Sequence, residues 1–138
     1  MAGMPEILDP AAVVQRQLDA YNARDIDALI ATYADDAELF EHPHRLLARG
    51  AAQIRERQSA RLCEPNLHAR LIQRLVMGEM VIDHEEVTRT FPEGPGRVEM
   101  ICLYEVRAGR IARAWFRFGA NLRQQINRET IFFESRNK

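Results

Sequence analysis

The chain has 138 residues, enough for one domain with a buried core. Hydrophobic residues make up 46% and charged residues 28%, which excludes a disordered chain. Nineteen Lys and Arg against twenty Asp and Glu leave a net charge of −1, so nothing favours nucleic acid or anionic lipid as a partner.

Residues Met1–Pro10 carry acids and no apolar run, so no secretion signal is expected, and no apolar stretch reaches bilayer length. Cys63 and Cys102 lie far apart, without metal or redox spacing. The expectation is a soluble, cytoplasmic, single-domain protein over 1–138, with residues from about 120 onward as an extension.

Asp9-Pro10 reads as a helix N-cap followed by proline at the first helical position. Val13, Val14, Leu18 and Tyr21 then recur at helical spacing, with Gln17 inside their apolar arc. Asp25 suits the N-cap of a second helix carrying Ile26, Leu29, Ile30 and Tyr33. Residues 37–42 form a short strand candidate closed by Pro43, followed by His44 in a loop. Gly50 precedes a third helix over about 51–62, which Pro65 ends.

From Leu67 to Phe118 the chain reads as strands over about 67–77, 79–91, 97–107 and 110–118. Met77-Gly78, the run 92–96 and Ala108-Gly109 are the turns between them. Helices followed by an antiparallel meander define an α+β layout. Residues 121–128 suit a helical turn, and Ile131-Phe132-Phe133 a short strand or docking segment.

Alternation assigns faces. In the 97–107 strand, Val98, Met100, Cys102, Tyr104 and Val106 suit the core, with Glu99, Ile101, Leu103 and Glu105 opposite. In the 110–118 strand, Ala112, Ala114, Phe116 and Phe118 point in, and Arg113, Trp115 and Arg117 point out. Ile101, Leu103 and Trp115 then make an outward apolar patch suited to homodimerisation. The 79–91 strand splits into Met80, Ile82, His84, Glu86 and Thr88 against Val81, Asp83, Glu85, Val87 and Arg89, and neither set is cleanly apolar. No ligand spacing for a metal and no glycine-rich phosphate loop is present, so neither metal nor organic cofactor is expected.

The runs Ala12-Val13-Val14-Gln15-Arg16, Tyr21-Asn22-Ala23-Arg24-Asp25-Ile26-Asp27 and Tyr33-Ala34-Asp35-Asp36-Ala37 resemble the opening of Δ5-3-ketosteroid isomerases. Phe40-Glu41-His42-Pro43 and Gly50-Ala51-Ala52-Gln53-Ile54-Arg55-Glu56 continue the likeness, which spans roughly residues 12–119. More broadly the chain resembles the SnoaL-like and nuclear transport factor 2-like superfamily. The resemblance implies a cone-shaped, curved antiparallel sheet wrapped around three helices, a cystatin-like α+β barrel, enclosing an apolar pocket. It places Gln17, His42, His84, Glu86, Met100, Cys102, Tyr104, Ala114, Phe116 and Phe118 along that pocket.

In the ketosteroid isomerases a tyrosine, a protonated aspartate and a base aspartate before a proline act on the developing dienolate. Gln17, Cys102 and His42 occupy those positions here, so none of the three matches in type. A histidine titrates near ~6.5, which suits a base at neutral pH. The reading that follows is proton transfer on a small hydrophobic carbonyl compound, of isomerase, cyclase or dehydratase type. His42 is its base, His84 and Glu86 complete the polar cluster, and Gln17 or Tyr104 stabilises an enolate oxygen. The alternatives are a module that binds a small hydrophobic molecule without catalysis, and a dimerising interaction module.

Overall fold

The computed structural model describes residues 9–121. The elements run α1 (Pro10–Ala23), α2 (Ile26–Ala31), β1 (Tyr33–Glu41), β2 (Arg45–Arg49), α3 (Gly50–Leu62), β3 (His68–Met77), β4 (Met80–Phe91), β5 (Gly94–Arg107) and β6 (Arg110–Asn121). The segments expected at about 122–128 and 131–133 lie outside the described residues.

Asp9 caps α1 by accepting from the Ala11 N–H at 3.0 Å, and Asp25 caps α2 from Ala28 at 3.1 Å. Between them Arg24 takes the left-handed conformation that ends α1. Its guanidinium donates to the Leu62 and Glu64 carbonyls at 2.7 Å each, tying this corner to the end of α3. The second helix stops at Ala31, so Tyr33 belongs to β1 and not to the helix its spacing predicts. The Ile111 N–H donates to the Thr32 carbonyl at 2.8 Å, and Tyr33 lies beside Ile111 in the sheet. Tertiary pairing has overridden local periodicity here.

The six strands form one sheet in the order β2-β1-β6-β5-β4-β3. It stays open, with β2 and β3 at its edges, and the helices cover its concave side. The meander β3 to β6 is antiparallel, whereas β1 joins β6 in parallel. Neither that parallel pair nor β2 follows from the sequence reading. Ala108 and Gly109, with φ of 51° and 78°, form the tight turn between β5 and β6; positive φ at both central positions matches the right-handed twist of the strands.

Val13, Val14 and Leu18 of α1 pack with Leu29, Ile54 and Leu62 onto Leu39, Val81, Val106, Ile111 and Ala114 of the sheet. Ile111 takes the core position instead of Ala112, because a register shift between Glu105 and Val106 reverses the alternation at the start of β6. Asn22 fastens α1 to β3: its side-chain oxygen accepts from the Ala69 N–H and its amide donates to the Ala69 carbonyl, both at 2.8 Å.

The two residue sets of β4 are sorted by its hairpin with β5. The run 92–96 reads as one long turn, which would set Phe91 opposite Arg97 and turn His84 and Glu86 inward with Tyr104 and Cys102. Instead the turn is only Pro92-Glu93, and Gly94-Pro95-Gly96 already pairs as strand with Arg89-Thr90-Phe91. The two registers differ by an odd number of residues, so every side chain of β4 changes face. Val81, Asp83, Glu85 and Val87 point inward, and each is buried.

Candidate functional site

A cavity of about 60 Å³ lies between the concave face of the sheet and helices α1 and α3. That space holds a few waters or a small ligand group. Gln17, Leu18 and Tyr21 of α1 and Arg57, Gln58 and Arg61 of α3 form one wall. The opposite wall is Leu39, Leu47, Ala69, Glu85, Val87, Met100, Cys102, Tyr104, Phe116 and Phe118. The Tyr104 and Phe116 rings meet edge to face, with centroids 6.3 Å apart.

Of the residues named from sequence, Gln17, Met100, Cys102, Tyr104, Phe116 and Phe118 line this cavity. Ala114 is fully buried beside Tyr104 without forming part of the wall. The other three are elsewhere. His84 and Glu86 stand on the outer face of the sheet, opposite Ile101 and Glu99. There His84 Nε2 lies 2.7 Å from the Glu99 carboxylate, and Glu86 pairs with Arg70 and Arg97 at 3.5 Å. His42 sits exposed in the turn after β1. Its backbone N–H donates to the Phe116 carbonyl at 2.8 Å.

Inside, the polar groups form two sets. Asp83 has no exposed surface and is held by Arg74 through two bonds of 2.7 and 2.9 Å. Arg74 in turn donates to Gln15 of α1 at 2.9 Å. This fork-to-fork pair satisfies both charges, so Asp83 is bound up in structure.

Glu85 is different. Only 4% exposed, it faces the cavity, and its buried Oε2 has no hydrogen-bond partner. Burial, and then the Asp83 carboxylate on the same strand face, push its carboxyl up to about 7, against the pull of Arg74. Beside it the Cys102 thiol is pushed well up by burial and by Glu85, which keeps it protonated and unreactive. The Tyr104 hydroxyl donates to Gln17 Oε1 at 3.3 Å and is likewise held protonated, chiefly by burial. An acid that exchanges its proton near neutrality therefore stands with two neutral hydrogen-bonding groups in a mostly apolar cavity. Glu85 was not singled out from sequence; the signal available was the pair of β-branched valines, Val81 and Val87, flanking it on its own face.

Among the described residues no group of three or more His, Cys, Asp and Glu side chains is arranged to hold a metal ion. No helix among them is long and apolar enough to cross a membrane.

The concave face of the open, curved sheet and its covering helices enclose this small cavity. Residues 14–114 match the SnoaL-like domain, and the chain belongs to that family. No curated protein matches it in sequence. Among solved structures it is similar to an uncharacterized cystatin-fold protein from Novosphingobium aromaticivorans, at 23% identity and a TM-score of 0.70, covering 78% of this chain and 97% of that one. It is also similar to SalBIII, an epoxide hydrolase/cyclase-like enzyme, at 14% identity and a TM-score of 0.73, covering 82% and 95%. A provisionally named polyketide cyclase from Sinorhizobium meliloti shares 26% identity with a TM-score of 0.63, covering 75% and 92%.

Proposed function

We propose that the protein catalyses proton transfer on a small hydrophobic carbonyl compound, in a reaction of isomerase, cyclase or dehydratase type, with Glu85 as the group that carries the proton. The observation behind this reading is the buried Glu85 carboxyl, unbonded at Oε2 and open to the cavity. A carboxyl near neutrality exists in both forms at working pH, the condition for a group that takes a proton and returns it. The Gln17 amide N–H, held by the Tyr104 hydroxyl that donates to its Oε1, supplies a donor for an enolate oxygen, and removing such a donor typically slows a reaction by ~10²–10³. SalBIII is described as acting in pyran ring formation, and a cyclisation of that kind also needs a group that moves protons in a sheltered pocket.

The role given from sequence to His42, with His84 and Glu86, passes to Glu85, because none of those three lines the cavity. The test is solvent-deuterium exchange at the α-carbon of small ketones, followed for wild type, Glu85→Gln and His42→Ala. Wild-type exchange should rise with pH through about 7. It should fall by ~10²–10⁴ in Glu85→Gln and persist in His42→Ala. Full turnover in Glu85→Gln removes Glu85 from the mechanism. Loss in His42→Ala alone restores the histidine.

Homodimerisation through the outer sheet face belongs to the same reading. Trp115 stacks on Phe40 with ring centroids 5.7 Å apart, Leu103 stands directly opposite Trp115, and Ile101 is 39% exposed. These residues form an apolar stripe across neighbouring strands, of the kind that a second copy covers.

A further inference from the structure

Helix α3 carries Arg57 and Arg61 one turn apart, and both line the cavity and also the open groove outside it. They therefore stand at the mouth. Two guanidinium groups at this spacing repel each other. The nearby acids do not offset this. Glu41, the acid that acts on Arg57, is paired with Arg45 at 3.3 Å. Glu64 lies 3.9 Å from Arg61, but its short bonds are to Arg89 and the Thr90 N–H, both at 2.8 Å. Glu56 lines the groove without lining the cavity. Arg57 has no hydrogen bond or ion pair to any described residue. Partial burial, and then the charges of Arg61 and Arg45, lower its pKa, which is the mark of cations gathered without a matching anion.

Leu47 shares this mouth, and the cavity wall also carries the apolar side chains of Met100 and Phe116. We propose that the cavity takes a small apolar molecule bearing a carboxylate, with the carboxylate held at the mouth by Arg57 and Arg61 and the apolar body directed inward toward Glu85. Guanidinium forks match a planar carboxylate through paired charge-assisted bonds. A single negative charge suits a mouth whose outer groove also holds Glu56 and Glu64, which would repel a dianion. The inference rests on the pocket reading and names its substrate class.

The test is calorimetric titration of the protein with butyrate through decanoate and with the matched straight-chain alcohols. Wild type should bind the best carboxylate about tenfold more tightly than its alcohol. Arg57→Gln should abolish that preference while leaving alcohol affinity unchanged. Added salt should weaken only the carboxylates. Equal binding of acid and alcohol, or a preference that survives in Arg57→Gln, overturns the inference and leaves the pocket reading standing. Failure of every carboxylate to bind overturns it too, and ketone exchange by the same preparation then decides the pocket reading separately. Arg57 has no partner among the described residues, so its replacement leaves the fold intact; an unchanged far-ultraviolet spectrum checks this.

Discussion

Glu85→Gln has a consequence for stability that is independent of any substrate. A carboxyl that titrates near 4.5 in the unfolded chain and near 7 in the folded one binds its proton more tightly when folded. Below pH 4.5 both states are protonated and Glu85 costs nothing through ionisation. Between 4.5 and 7 the unfolded chain ionises first, so stability falls as pH rises. Above 7 the loss is complete, and it amounts to about 3 kcal/mol. Glutamine has nearly the same shape and no charge, so the variant lacks this slope. Urea unfolding at pH 5 and pH 8, on wild type and Glu85→Gln, isolates the effect, because every other titrating group is common to both proteins. Wild type should lose about 2.5 kcal/mol more than the variant over that interval, part of the full loss having already occurred by pH 5. At neutral to alkaline pH the substitution should therefore raise the midpoint, an unusual result for a change inside a core. Parallel pH dependence in the two proteins would refute the argument, and with it the idea that Glu85 is held near neutrality.

Two further predictions concern the frame around the site. Arg74→Ala leaves the fully buried Asp83 without its partner, and should cost about 3–5 kcal/mol by urea unfolding; Arg74→Met combined with Asp83→Leu should recover most of that loss, and a single-variant cost under about 1 kcal/mol would contradict the assignment of Asp83 to structure. Trp115→Ala removes the ring that stacks on Phe40 at the centre of the outer apolar stripe, so light scattering should give a dimer mass for wild type and a monomer mass for the variant; a monomeric wild type refutes the proposed pairing, and a dimer that persists in the variant places the interface elsewhere.

Much of the framework was legible locally. Asp9-Pro10 and Asp25 mark helix starts through side chains that accept from the first free N–H groups. On β5 the alternation of Met100, Cys102 and Tyr104 with Ile101 and Leu103 separates inside from outside, and Phe116 and Phe118 continue the inward set on β6. Gln17 stood out because an amide within an apolar helix arc needs a partner, and Tyr104 provides one across the core. The pairing of β1 with β6 was not legible, because a parallel neighbour distant in sequence leaves no turn to read.

The sequence by itself determined the α+β order, the helix starts and the inward face of β5, since each rests on spacing within a few residues, while the family showed in the resemblance of longer runs across residues 12–119. Only the tertiary structure decided which half of β4 enters the cavity. Its two faces are nearly equal in polarity, so the choice fell to the hairpin register, where a two-residue turn at Pro92-Glu93 replaced the longer one the glycines suggest. Because side chains alternate with a period of two, that odd difference exchanged His84 and Glu86 for Asp83 and Glu85. It put His84 and Glu86 on the outer face and Glu85 into the cavity, where burial raises the proton affinity of its carboxyl.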